Sequence, residues 1–269
     1  REYTNNQPIH ICKGCGFVYV KSRRSAKAIA DTWSNELYGA HFYTAHRPAM
    51  KARLTYAADF INVNLPLKGK AVCDIGAGEG YFLELLRRNY GANVFGIEPS
   101  KENCRELTKL NIPNFPGTIE EYCASPQAKE YKADAATIIW TLENCRSCKD
   151  MLAGAYSIVK DDGYVAVTTG SRILVPFKKP LQNYLGPQYI LDTHAFRFSA
   201  NTLRGILAAS GFEVIQMNRY IDTDYLCAIA QKRPAGTQIS WKRDDNQKVA
   251  DFFERWHEES VYYTNTSRI

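Results

Sequence analysis

Hydrophobic and polar positions change rhythm several times along the chain. Residues 9–20 (IHICKGCGFVYV) read as a short hairpin folded about Cys12-Lys13-Gly14-Cys15-Gly16. Helices are expected over 25–39 and 47–63, the second carrying Ala49, Leu54, Ala57, Ala58 and Ile61 at mostly helical spacing. Pro66 and Gly69 mark a break over 64–69. Short apolar runs then alternate with amphipathic ones. Strands are expected over 71–75, 93–97, 114–115, 135–140 and 163–169, and helices over 81–90, 101–110, 148–159 and 200–210. Two further strands, 212–218 and 225–231, follow with no helix between them. This alternation predicts a parallel sheet covered on both faces, with the last strand pair forming an antiparallel edge. The expected class is therefore α/β, a doubly wound and mostly parallel seven-stranded sheet with an antiparallel edge strand. Four segments are expected: a cysteine hairpin at 1–24, a helical lid at 25–64, the sheet domain at 65–232 and a helical extension at 233–269. In the extension, Val249, Phe252, Phe253 and Trp256 share one side of a helix over 244–259. A stretch at 170–199, rich in Pro and aromatics, is long for a connection inside a compact domain, and such loops usually carry function.

Composition narrows the classes. The 269 residues suffice for one large domain with appendages, and 45% hydrophobic with 23% charged content is that of a globular protein. No run approaches the roughly 20 apolar residues of a membrane span, and the start carries no apolar signal-peptide core. Without an export signal the eight cysteines are expected to be reduced and the compartment cytoplasmic. The chain opens on Arg1 rather than Met, which leaves room for an upstream segment. A net charge of +6 is spread thinly, its densest cluster being Lys21-Ser22-Arg23-Arg24. That favours a solvated surface and a small-molecule partner, with no nucleic acid.

The strongest chemical signal is Val72-Cys73-Asp74-Ile75-Gly76-Ala77-Gly78-Glu79-Gly80-Tyr81-Phe82, between an expected strand and an expected helix. Its glycines permit a tight turn and close approach of a ligand, and the helix that follows offers unpaired N–H groups. Glu98 ends the next strand, where an acid can accept hydrogen bonds from ribose hydroxyls. Nicotinamide enzymes share such loops. Against them stand the acid placed directly before Ile-Gly, the G-x-G-x-G spacing and the reversed strand pair.

With Gly96-Ile97-Glu98-Pro99-Ser100 downstream, the loop resembles that of class I S-adenosylmethionine-dependent methyltransferases, over about residues 50–232. The resemblance implies a Rossmann-like domain binding S-adenosylmethionine. It implies that Asp74 and the loop Gly76, Ala77, Gly78 and Gly80, opening into Tyr81 and Phe82, hold the methionine part. Glu98 would hold the ribose and Pro99 flank the adenine. Gly117, Thr118, Ile119 and Glu120 match the stretch that meets the adenine edge, and Trp140, Thr141, Leu142 and Glu143 the segment lining the methionine end.

Methyl transfer aligns an acceptor with the sulfonium, excludes water and often removes a proton. Of the five histidines, His41 and His46 flank Phe42-Tyr43 in the lid, His10 adjoins the hairpin and His257 lies on the terminal helix. His194 follows the long loop, over the carboxyl ends of the strands. The run His194-x-x-x-Phe198-Ser199 is similar to a segment of deoxysugar C-methyltransferases, which implies His194 as general base and a nucleotide-linked or polysaccharide sugar as acceptor. Thr193 stands where that pattern has Glu, so O-methylation of a sugar hydroxyl stands beside C-methylation. Tyr43, in Leu37-Tyr38-Gly39-Ala40-His41-Phe42-Tyr43, resembles lid tyrosines that reach toward the sulfonium. Tyr184, Tyr189, Arg172 and Arg197 are acceptor-side candidates by position. The alternatives are O-methylation of an aromatic or lipid-like acceptor, with the terminal helix as lid or pocket wall, and a non-catalytic cofactor-binding subunit.

Cys12/Cys15 and Cys145/Cys148 each have the spacing of half a tetrahedral zinc site. Cys12 and Cys15 also match half of the zinc module of the deoxysugar enzymes, so zinc is a second candidate cofactor there. Cys145 and Cys148 are expected to be plain thiols at a helix start.

Overall fold

The computed structural model describes residues 2–4, 7–32, 40–170, 194–218 and 225–266. The elements, in chain order, are β1 (Glu2–Thr4), β2 (Gln7–Ile11), β3 (Val18–Val20), α1 (Ala26–Thr32), α2 (Ala40–Asn64), β4 (Ala71–Ile75), α3 (Tyr81–Tyr90), β5 (Asn93–Glu98), α4 (Lys101–Lys109), β6 (Asn114–Pro116), α5 (Ile119–Ala124), α6 (Gln127–Glu130), β7 (Ala133–Ile139), α7 (Cys148–Ile158), β8 (Val159–Gly170), β9 (Phe196–Arg197), α8 (Ala200–Ala209), β10 (Phe212–Met217), β11 (Tyr225–Lys232) and α9 (Asn246–Thr266).

A seven-stranded sheet in the order β10-β11-β8-β7-β4-β5-β6 forms the centre. Strands β8, β7, β4, β5 and β6 pair in parallel, while β11 runs antiparallel to both β8 and β10. The reversed strand thus lies one place in from the edge, and β10 is the edge. Both faces are buried, so each strand divides its side chains between two cores. Val72, Ala135, Ala166 and Ile229 face Ala57, Ile61, Phe82 and Leu86 of α2 and α3. Their neighbours Cys73, Ala136, Val165 and Ala228 join the core containing Ile119, Leu152, Ala155, Leu203 and Leu207 of α5, α7 and α8.

Helix starts follow their local chemistry. Thr118 closes a capping box with Glu121 at α5, Ser199 another with Thr202 at α8, and Ser100 and Ser147 cap α4 and α7 through their hydroxyls. Helix α2 begins at Ala40, well before the expected start at residue 47, and carries Pro48 inside it.

A second sheet, β1-β2-β3-β9, ties the N-terminal hairpin to the segment just after His194. Phe17 lies within 6.0 Å of Phe196 and 5.3 Å of Phe198, ring centre to ring centre. On its other side Val18 packs with Val249 and Phe253 of α9. The terminal helix therefore buries these residues against the hairpin. That differs from the expected lid or pocket wall, because Val18 and its neighbours Ile9 and Ile11 offer the apolar partner its stripe needs.

Candidate functional site

The carboxyl ends of β4, β5, β6 and β7 lie side by side, and the turns leaving them converge. Residues 76–80 leave β4. Gly76 N and Ala77 N donate to Ile97 O at 2.8 and 3.2 Å, and Gly78 N donates to Glu98 Oε2 at 2.8 Å, so the loop is bound to the end of β5. Gly76 has φ +81°, and a Cβ there would stand 2.5 Å from the Thr141 side chain. Only glycine accepts both the left-handed backbone and that approach. Gly80, with φ 84°, opens α3.

Two carboxyls are sealed under this loop, Asp74 with 2% and Glu98 with 6% of its surface exposed. Burial pushes Asp74 up to about 7, Glu98 adding to the rise and the hydroxyl of Thr137 opposing it. That hydroxyl donates to Asp74 Oδ1 at 2.7 Å. Burial also raises Glu98, against the backbone N–H groups of Ser100 and Gly78 and the Asn103 amide. Ser100 N donates to Glu98 Oε1 at 2.8 Å. Desolvated anions side by side suit a ligand that brings positive charge and hydroxyl donors. S-adenosylmethionine, with an ammonium, a sulfonium and ribose hydroxyls, fits that donor set, whereas a dinucleotide's pyrophosphate would be repelled by it.

The other sequence-derived residues occupy the same edge. Pro99 follows Glu98, and Thr118 and Glu120 lie at the start of α5. Trp140 stands just beyond β7 with φ 51°, a left-handed conformation rarely taken by a bulky residue. Its N–H donates to Thr168 O at 2.8 Å, and its carbonyl accepts from Asn144 Nδ2 at 3.0 Å. This turn lays Thr141 over Gly76. Strain of this kind costs about 1–3 kcal/mol and gathers at functional sites. Tyr81 is half-buried at the mouth of α3. Phe82, Ile119 and Leu142, by contrast, point their side chains into the cores.

His194 is half-buried and precedes β9. Arg197, itself buried, donates from Nη1 to His194 O at 3.1 Å. Tyr43, like His41 and His46, falls within α2, and its side chain lies outside the described residues; so do Tyr38, Arg172, Tyr184 and Tyr189. Sequence reasoning missed Thr137 and Asn103, and named Glu143 only as the last residue of the segment lining the methionine end. Nothing in a linear pattern singles out Thr137, one polar residue in an apolar strand.

Cys12 and Cys15 occupy a tight turn, with Gly16 N donating to Cys12 O at 2.8 Å. The backbone N–H of Gly14 and the neighbouring thiol draw the Cys12 thiol below its ordinary value, while burial raises Cys15. Among the described residues no third His, Cys, Asp or Glu joins either pair to form a metal-holding group. The expected zinc therefore has half a coordination shell, and no step is assigned to it. Cys145 and Cys148 are buried with sulfurs 3.8 Å apart, both facing Leu142 O.

A family profile described as "Methyltransferase domain" matches residues 43–217. The ubiquinone biosynthesis O-methyltransferase of Ralstonia nicotianae is 29% identical over 199 residues, 65% of this chain and 82% of that protein. Its namesake in Neisseria meningitidis serogroup C is 27% identical over 145 residues, 52% of this chain and 58% of that protein. Of solved structures, the Burkholderia thailandensis 1,6-didemethyltoxoflavin-N1-methyltransferase, with its substrate and S-adenosylhomocysteine bound, shares the fold at TM-score 0.57 and 16% identity, covering 85% of this chain and 100% of its own.

Proposed function

The chain belongs to the methyltransferase-domain family and is an S-adenosylmethionine-dependent methyltransferase, and on that premise we propose that it methylates the hydroxyl oxygen of a small molecule. The observation that carries this reading is that the relatives it aligns with are named as O-methyltransferases. Glycan or nucleotide-sugar acceptors, and C-methylation, rest on the segment 194–199 alone and give way to it.

In this reading Asp74 and the 76–80 loop hold the methionine end, Glu98 the ribose, and residues 118–120 the adenine edge. Trp140 and Thr141 line the methionine end, and Tyr43 stays a candidate by its resemblance to lid tyrosines alone. The cofactor supplies a methyl group made electrophilic by the sulfonium. The chain's own task is to align the acceptor, exclude water and take one proton. His194 is the base in this proposal. As the O–CH3 bond forms and the S–CH3 bond breaks, the hydroxyl proton passes to the imidazole. A methyl ether, S-adenosylhomocysteine and an imidazolium result.

The test is titration calorimetry with S-adenosylhomocysteine, with NAD as control, followed by transfer of labelled methyl to a catechol and to a nucleotide-linked sugar. Saturable binding that disappears in Glu98→Ala, with label on catechol oxygen, is the expected result. Label found only on the sugar would overturn the acceptor class, and binding of NAD alone would overturn the cofactor site.

A further inference from the structure

Glu143 follows Trp140, Thr141 and Leu142 at the end of β7, and it is the deepest acid on the acceptor side, with 1% of its surface exposed. Among the described residues no donor closes a hydrogen bond to either of its carboxylate oxygens. A buried carboxyl in that condition destabilises the fold, and an unpartnered buried polar group in a native structure calls for an explanation.

What lies against it is the segment that carries His194. Ala195 N and Phe196 N both donate to Glu143 O, at 2.9 and 3.1 Å. Val20 N in turn donates to Ala195 O at 2.8 Å, pressing the segment inward from the hairpin side. Arg197 Nη1 also donates to His194 O, at 3.1 Å. Burial raises the Glu143 carboxyl above its ordinary value, and the foremost influence against that rise is the charge of His194. The backbone N–H groups of Glu143 itself and of Gly170 and the Thr169 hydroxyl oppose the rise in lesser degree. His194 itself is half-buried.

We propose that Glu143 is the positioning residue for His194, its carboxylate taking the imidazole's N–H and leaving the second ring nitrogen to face the acceptor hydroxyl. The inference rests on the reading of His194 as base. A carboxylate in this role fixes the tautomer and steadies the imidazolium formed when the hydroxyl proton arrives, remaining ionised throughout. No oxidant, metal or second substrate is required.

The experiment is nitrogen NMR of histidine-labelled protein with S-adenosylhomocysteine bound, the His194 signals being identified by their loss in His194→Ala. Wild-type protein should show one His194 tautomer. Glu143→Leu, which keeps side-chain bulk and relieves the buried charge, should show an averaged pair, while calorimetry finds S-adenosylhomocysteine bound as before. On whichever acceptor takes label, Glu143→Leu should lose about 10²- to 10⁴-fold in kcat with KM little changed, and adding His194→Ala should cost little more. A scaffold role for Glu143 predicts an unmoved tautomer, lowered thermal stability and losses that multiply. An averaged tautomer in the wild-type protein, which no misfolded variant can mimic, would overturn the pairing, as would an unchanged one in Glu143→Leu. Failure of wild-type protein to bind S-adenosylhomocysteine would sink the functional reading instead, and the tautomer would still decide the pairing.

Discussion

Asp74 shows how one residue sets a condition on the whole protein. Its carboxyl, ordinarily at 3.8, is held at about 7 chiefly by burial. Because the folded value is the higher one, the folded state binds the proton more tightly. Stability therefore falls as pH rises from 3.8 through 7, and the cost is complete above 7, where folding buries a charge. The cost there is about 4 kcal/mol at most, by the linkage between a raised acid and stability. Asp74→Asn is expected to raise the melting temperature of the ligand-free protein at pH 8 and to leave it nearly unchanged near pH 4. Denaturation at the two pH values checks this, and equal stability of the two proteins at pH 8 would contradict a buried ionised Asp74. The same substitution should weaken S-adenosylhomocysteine binding in calorimetry by tenfold or more if, as proposed, the carboxylate meets the ligand's ammonium. Thermal gain with binding loss is the pattern of a group kept for function at the expense of stability.

At the scale of elements, two glycines decide how helices seat on the sheet. Gly154 sits in the middle of α7, where helix propensity alone favours alanine by about 1 kcal/mol. A Cβ there, however, would stand 2.4 Å from Ile119 Cγ1, on the helix that carries the adenine-edge segment. Overpacking costs about 1–3 kcal/mol and should win. Gly154→Ala is expected to lower stability, and Ile119→Val in the same chain to restore part of it. Urea denaturation of the single and double variants measures both, and purely additive effects would show that the contact does not govern the sign. Gly80 meets a harder demand, since φ 84° disfavours any side chain and a Cβ would lie 2.4 Å from Leu107 Cδ2. Gly80→Ala should cost about 1–3 kcal/mol in the same measurement and weaken cofactor binding, because it moves the first turn of α3.

Across the whole molecule, the terminal helix reaches the chemistry through an intermediary. Phe253 packs on Val18, Val18 lies in β3, and β3 pairs with β9 immediately after His194. Phe253→Ala removes a largely buried ring and should cost about 3 kcal/mol. Amide exchange at Val20 and Ala195 should quicken in that variant, while S-adenosylhomocysteine affinity holds, because the 76–80 loop belongs to the other sheet. Exchange unchanged at both amides would show that the hairpin stands without the helix.

The sequence by itself determined the alternating strands and helices, the loop from Asp74 to Gly80 and the acid at Glu98. These signals are local, because period-two and helical spacing, left-handed glycines and an acid closing a strand each follow from neighbours along the chain. The apolar stripe of Val249 and Phe253 was legible by its spacing. Only the tertiary structure decided what covers that stripe, since an amphipathic face states that it needs a partner without naming one. Only the fold brought Thr137 to Asp74 and the hairpin to β9. The same holds for Glu143, whose place beneath the segment of His194 depends on a connection closed across the sheet. Such contacts join residues far apart in sequence, and burial and charge acquire their meaning there only after the chain has packed.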